Sequence, residues 1–330
     1  MVFFPAVFLI KTTLPLLVLL ALVPIAGLWK HRRELLFLTI PAAVFLVMSM
    51  LSGLNLGVRH ILPIYPFCIV LAAAAGWHFA ARSRLAALGV AALLVFAATS
   101  SLHSYPDYLA YSNEAFGGPS NTYRVVTDSN ADWGQGLKWV KSYLDRHNIS
   151  DCWFDYSVPI VNPRYYGIDC KPLLSALARF GLGQASPVPP SISGTILISA
   201  TELEGFLWGP DVLNPYKEFK SRRPDAVIGN TVLVYRGTFD LPLLAAYSRA
   251  AGAIALLYQR RLPEAITEAQ AAVQEAPDSA EIHATLGRLL MVAGRTAEGQ
   301  QELSTALHLA RTIHPDYQAN LIRQIEQIPH

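Results

Sequence analysis

Across its first 106 residues the chain carries one carboxylate, Glu34. A general base or a carboxylate metal ligand must therefore come from the later part of the sequence or from another chain. Charge is sparse overall, 15% of residues, and nearly balanced at a net +2, so composition gives no reason to invoke nucleic acid. Met1 runs straight into VFFPAVFLI without a basic leader or a small-residue cleavage site, which argues against a removable signal peptide. Cysteine is nearly absent too, with three residues in 330.

What fills the carboxylate-poor stretch is apolar. Four charge-free runs, 12–29, 35–56, 61–81 and 85–102, are each about long enough to cross a ~30 Å hydrocarbon layer as helices. Lys30, Arg32 and Arg33 follow the first run and Arg82 and Arg84 the third, whereas the opposite side has Lys11 and Arg59. Cations mark cytoplasmic loops, so the N-terminus and everything after residue 103 are expected on the outer face of the cytoplasmic membrane. Cys68 then lies inside a span as packing. Cys152 and Cys170 fall on the oxidising side, where they could form a disulfide or remain two small buried thiols.

Three regions follow: a four-span α-helical membrane bundle over 1–102, a small α/β domain over 103–238, and helical repeats over 241–330. In the middle region CWFDYSVPIV, GTILISAT and NTVLVYRG read as strands, Trp133 to about His147 as a helix, and the proline-rich 186–194 as a loop. From Leu241 two stretches align at a period of 34, pairing Ala253 with Gly287, Leu256 with Leu290, Ala265 with Gly299, Ala269 with Leu303 and Ala272 with Ala306. That period, with small residues where paired helices cross, resembles the tetratricopeptide repeat and implies a protein partner. A plain pair of helical hairpins is the alternative. Since roughly three units are usually needed for stability, two units and a last helix are expected to lean on a neighbouring domain.

The candidate site residues lie at the outer ends of the runs. Arg59 and His60 stand in SGLNLGVRHILPIYPF before Pro63 and Pro66. An arginine there either snorkels at the interface or meets an anion, and lipid phosphate suits its planar fork of donors. Lys11, in IKTTLP, is a second cation by the same argument. In DSNADWGQGL, Asp128 or Asn130 could cap the following helix, with Asp132 in the same polar cluster, or Asp128 and Asp132 could face the membrane surface to meet an acceptor or a divalent cation. Two carboxylates at that spacing do not specify a metal site, and none is assigned. Trp133 and Trp139 read as packing, and Tyr105, Tyr108 and Tyr111 as an interfacial aromatic belt.

FFPAVFLIKTTLP, LNLGVRHILPIYPF, YPDYLAYSNEAFGGPSN and DSNADWGQGLKWVKSYL together resemble the C-terminal half of bacterial GT-C superfamily membrane glycosyltransferases, the group related to dolichyl-phosphate-mannose protein mannosyltransferases. The resemblance covers roughly residues 3–170. It implies a polyprenyl-phosphate-linked sugar as donor, with Arg59 and His60 in the family's Arg-His element and Lys11 in a Lys-Thr-Pro element that here reads Lys-Thr-Thr. The family's acidic catalytic residue belongs to a first outer loop, and no outer-loop carboxylate precedes Asp107. The expectation is therefore a part of a longer transferase that binds donor without turnover when alone. The competing readings are a membrane-anchored repeat protein that recruits partners and an accessory subunit of an envelope transporter.

Overall fold

Proline and two extended threonines interrupt the first apolar run. Helix α1 (Phe3–Lys11) ends at Thr12, Thr12 and Thr13 take ψ near 140°, and α2 (Leu14–Leu22) restarts with a proline in its first turn. Pro15 has no N–H to continue the ladder from α1, so the chain turns by 113° between Phe3–Lys11 and Leu14–Ile25. The bend falls at the start of the span expected over 12–29, whose helix Leu14–Ile25 pairs across it with Phe3–Lys11. In this computed structural model the described residues are 2–52, 55, 57–156, 161–179 and 186–326, with side chains through Arg323.

Three further helices are long and apolar enough to cross a membrane: Leu28–Leu51, which contains α3 (Arg32–Leu51); Val58–Ala80, a 3-10 stretch running into α4 (Tyr65–Ala80); and α5 (Arg84–His103). The bent pair would make a fourth. Ser83 starts α5, its hydroxyl accepting from Ala86 N at 3.1 Å. Helix α3 has no buried residue and α5 only Ser100, so Phe37, Met48, Leu85 and Val95 stand open.

The chain forms two compact units, and the division does not fall at residue 103. The first runs through Gln135 with Gly229–Thr231, and the second comprises Gly136–Ile228 and Val232 onward. Residues 104–135 join the first because they satisfy the carbonyls exposed at the α1 break. Asn113 N donates to Ile10 O at 2.9 Å, and its side-chain amide donates to Leu9 O at 2.6 Å and Thr12 O at 2.8 Å.

In the second unit α6 (Leu137–Arg146) lays Leu137, Val140 and Leu144 on a five-stranded sheet ordered β2-β1-β3-β5-β4. The strands are β1 (Cys152–Asp155), β2 (Lys171–Pro172), β3 (Ser191–Ser199), β4 (Ala226–Ile228) and β5 (Val232–Asp240). The first three run parallel, and β5 is antiparallel to both β3 and β4. Cys152 and Cys170 are bridged, with Cα atoms 4.7 Å apart. Part of the strand expected over CWFDYSVPIV, 157–160, lies outside the described residues. The loop expected over 186–194 ends at Pro190, because Ser191 onward pairs with β5 from Ser191↔Asp240.

Two short helices, α7 (Ala176–Arg179) and α8 (Ala200–Glu204), follow β2 and β3. The repeats are α9 (Pro242–Tyr258), α10 (Leu262–Glu275), α11 (Ala280–Val292), α12 (Thr296–Arg311) and α13 (Pro315–Glu326). They do not start as a separate body. Leu241 N donates to Pro190 O at 2.6 Å, Ser248 Oγ accepts from Val188 N at 2.9 Å, and Leu244 to Ser248 are buried. Within the array, a Cβ at Gly287 would stand 2.8 Å from Leu303 Cγ and 3.1 Å from Gly299 O, so α11 and α12 meet nearly backbone to backbone.

Candidate functional site

Lys11, Val58, residues 109–113 and Asn130, far apart in sequence, meet in the first unit. Lys11, the last residue of α1, directs its ammonium to Leu109 O and Tyr111 O, both at 2.7 Å, and to Asn130 O. Three N–H groups facing three carbonyls use the whole donor capacity of a lysine. The ammonium thus holds 109–111 and 130 against the α1 break.

Asn130 is the second fastener. Its main chain receives Lys11, and its side-chain oxygen accepts from Val58 N at 2.9 Å, fixing the start of the Val58–Ile64 turn. Gly57, at φ +93°, makes this approach possible, since a Cβ there would lie 2.8 Å from Asn130 Oδ1. The turn it anchors presents Arg59, exposed, with its guanidinium carbon 5.4 Å from the centre of the Trp133 ring. His60 is half-buried beside it.

The loop bearing Trp133 is bonded to itself. Trp133 N donates to Gln135 Oε1 at 2.7 Å, Gln135 Nε2 to Ala131 O at 2.8 Å, and Gly134 N to Asp132 Oδ1 at 3.0 Å. Asp132 is buried there, and Asp128 adopts φ +53° in a 3-10 turn whose carbonyl accepts from Ala131 and Asp132. Neither side chain caps α6, whose N-cap position is Gly136. Trp133 is 51% exposed, so it is not core packing. The tyrosines separate as well: Tyr105 and Tyr108 stand exposed with rings 6.1 Å apart, while Tyr111 is buried, its hydroxyl 3.2 Å from Ser100 Oγ. Among the described residues no group of three or more His, Cys, Asp or Glu is arranged to hold a metal ion.

The second unit contains an acidic pair at the C-terminal ends of β1 and β3. Asp155 and Glu202 are fully buried. Glu202 Oε2 accepts from Ala176 N at 3.0 Å and from Trp208 Nε1 at 2.9 Å. Burial, and then the charge of Glu202, pushes the Asp155 carboxyl well above the usual range. Tyr216, also completely buried, has its hydroxyl raised first by burial and then by the two carboxylates. Its single proton goes to Leu174 O at 2.9 Å.

Sequence reasoning missed Asn113, Asn130 and this acid pair. The signal for the asparagines was their place inside apolar-flanked motifs beside Gly57 and Lys11, and for Asp155 its position in a strand otherwise made of Cys, Trp, Phe and Tyr. Residues 248–325 match the tetratricopeptide repeat family. No curated protein and no solved structure matches the chain.

Proposed function

We propose that this chain is the donor-holding part of a membrane glycosyltransferase that uses a polyprenyl-phosphate-linked sugar, with Arg59 and His60 meeting the phosphate at the outer boundary of the membrane. The observation that supports the reading is the meeting of four stretches, up to 119 residues apart, through Lys11, Asn113 and Asn130. Motifs that merely marked four separate helices would have no reason to share fasteners. The fasteners leave one arginine exposed beside an aromatic face, which suits an anion carrying a sugar or a lipid. In this reading the open faces of α3 and α5 meet lipid, the second unit lies outside the cell membrane, and the repeats dock a protein.

The test is donor binding by the full chain in nanodiscs. A polyprenyl-phosphate-linked sugar should bind, and Arg59→Gln should weaken binding about ten- to hundred-fold, as loss of a charged hydrogen-bond pair does. Equal binding by wild type and Arg59→Gln would remove the reading.

A membrane-anchored scaffold is the second reading, and the family match over 248–325 favours it. It expects no donor binding by a folded chain, and a partner held through α9 to α13.

A further inference from the structure

We infer that Trp133 is a positioning residue for Arg59, setting the guanidinium so that its N–H edge faces outward to take a phosphate ester. The inference rests on the donor-holding reading above and adds to it a residue that, from the sequence, reads as packing.

The argument is geometric. The Arg59 guanidinium carbon lies over the Trp133 ring, 5.4 Å from its centre, within reach of a cation–π attraction. The donors of a guanidinium lie in its own plane, so one drawn towards the ring's face keeps its edge for a ligand. That is the arrangement bidentate phosphate binding needs, and an unstacked arginine must lose rotamer freedom to reach it. Lysine can also lie over the ring, but its ammonium is a point charge with rotatable donors, so the contact sets no donor edge.

The ring itself is held from below. The Gln135 bridge across 131–133 and the Gly134–Asp132 bond fix the loop, and Asn130 ties that loop to Val58, one residue before Arg59. Both partners of the stack are therefore anchored to the same fastener within the first unit. A tryptophan half open at the tip of a fully bonded loop is presented rather than packed, and the group presented to it is Arg59. Phosphate could arrive on a long polyprenyl chain or as a soluble ester, and the shared chemistry is the phosphate oxygen pair.

The experiment measures binding of polyprenyl phosphate, and separately of inorganic phosphate, to the full chain in nanodiscs of neutral lipid. Trp133→Ala should weaken polyprenyl phosphate binding about two- to thirty-fold, and Trp133→Phe should recover most of the loss. Arg59→Lys should weaken it similarly, and Trp133→Ala should cost less in the Arg59→Lys background than in wild type, because the donor edge that the ring positions is already gone. Loss for both probes assigns the site to phosphate itself, and loss for the lipid alone assigns it to the lipid-borne ester. Trp133→Ala binding like wild type, or losses that simply add, would overturn the inference. If Arg59→Gln weakens binding while Trp133→Ala does not, the positioning role fails and the donor-holding reading stands. If neither matters, both fall.

Discussion

The ammonium of Lys11 and the main-chain carbonyl of Asn130, 119 residues further on, are hydrogen-bonded at the break between α1 and α2. Helix α1 ends there with its last carbonyls exposed, and Asn113 and Lys11 between them tie the break to two later segments. A charge placed by its sequence at a membrane edge thus works as a three-way clamp.

Replacing Lys11 with methionine leaves the carbonyls of Leu109, Tyr111 and Asn130 without that donor. The expected loss is about 2–4 kcal/mol, in the range for a broken buried polar network. It should register as a lower melting temperature of the first unit in detergent. Lys11→Met with unchanged melting but weakened phosphate binding would return Lys11 to the role of ligand.

Asp155 gives a pH dependence of definite sign. Its folded value lies above the ordinary 3.8, so between 3.8 and the raised value the folded state binds more protons than the unfolded one. Stability from this group is complete below 3.8 and is lost as pH rises towards the folded value. Asp155→Asn keeps the size of the side chain and removes the titration. Denaturant unfolding at pH 5 and pH 8 should show the variant gaining on wild type at the higher pH. A gain that is equal at both would mean that Asp155 is not held neutral.

The helical runs, the 34-residue period and the cation-bearing ends were legible because each depends on local pattern: apolar length, small residues at crossings, charge next to a span. Three strand cores were legible for the same reason. The α1 break was half visible, since Pro15 marks it, but the two extended threonines follow from the carbonyl partners that Asn113 supplies from a hundred residues away. Asn130 and Asp155 could not be read at all as they stand in the fold. One looked like a capping or loop asparagine, and its meaning came from Gly57. The other stood inside an expected strand, and its meaning came from Glu202 and Tyr216. The placement of Trp133 over Arg59 is likewise a long-range fact, carried by the same Asn130.

The Cys152–Cys170 bridge links β1 to the residue before β2 across 18 positions. Both cysteines are buried, so the native bridge should resist mild reductant, and Cys170→Ser should cost about 2–4 kcal/mol by loosening the unfolded-state constraint. Mass shifts after thiol alkylation of the chain taken from cells report the same bond. A fully bridged population supports the outer-face placement of the second unit, and free thiols at 152 and 170 would contradict it.

Gly287 offers the sharpest test of the repeats. Its counterpart one period earlier is Ala253, fully buried, so the first repeat tolerates a methyl where the second repeat has none. At 287 a methyl would press on Leu303 at 2.8 Å and on Gly299 O at 3.1 Å. Gly287→Ala gains up to about 1 kcal/mol of helix propensity, yet overpacking of about 1–3 kcal/mol should outweigh it. Leu303 is a side chain and can be trimmed, whereas the Gly299 carbonyl cannot. Leu303→Ala in the Gly287→Ala background should therefore recover part of the loss, and the two changes should be non-additive in a double-mutant cycle. If Gly287→Ala stabilises the chain on its own, α11 and α12 do not approach as closely as paired repeat helices, and the array would be two ordinary hairpins that share a period by chance.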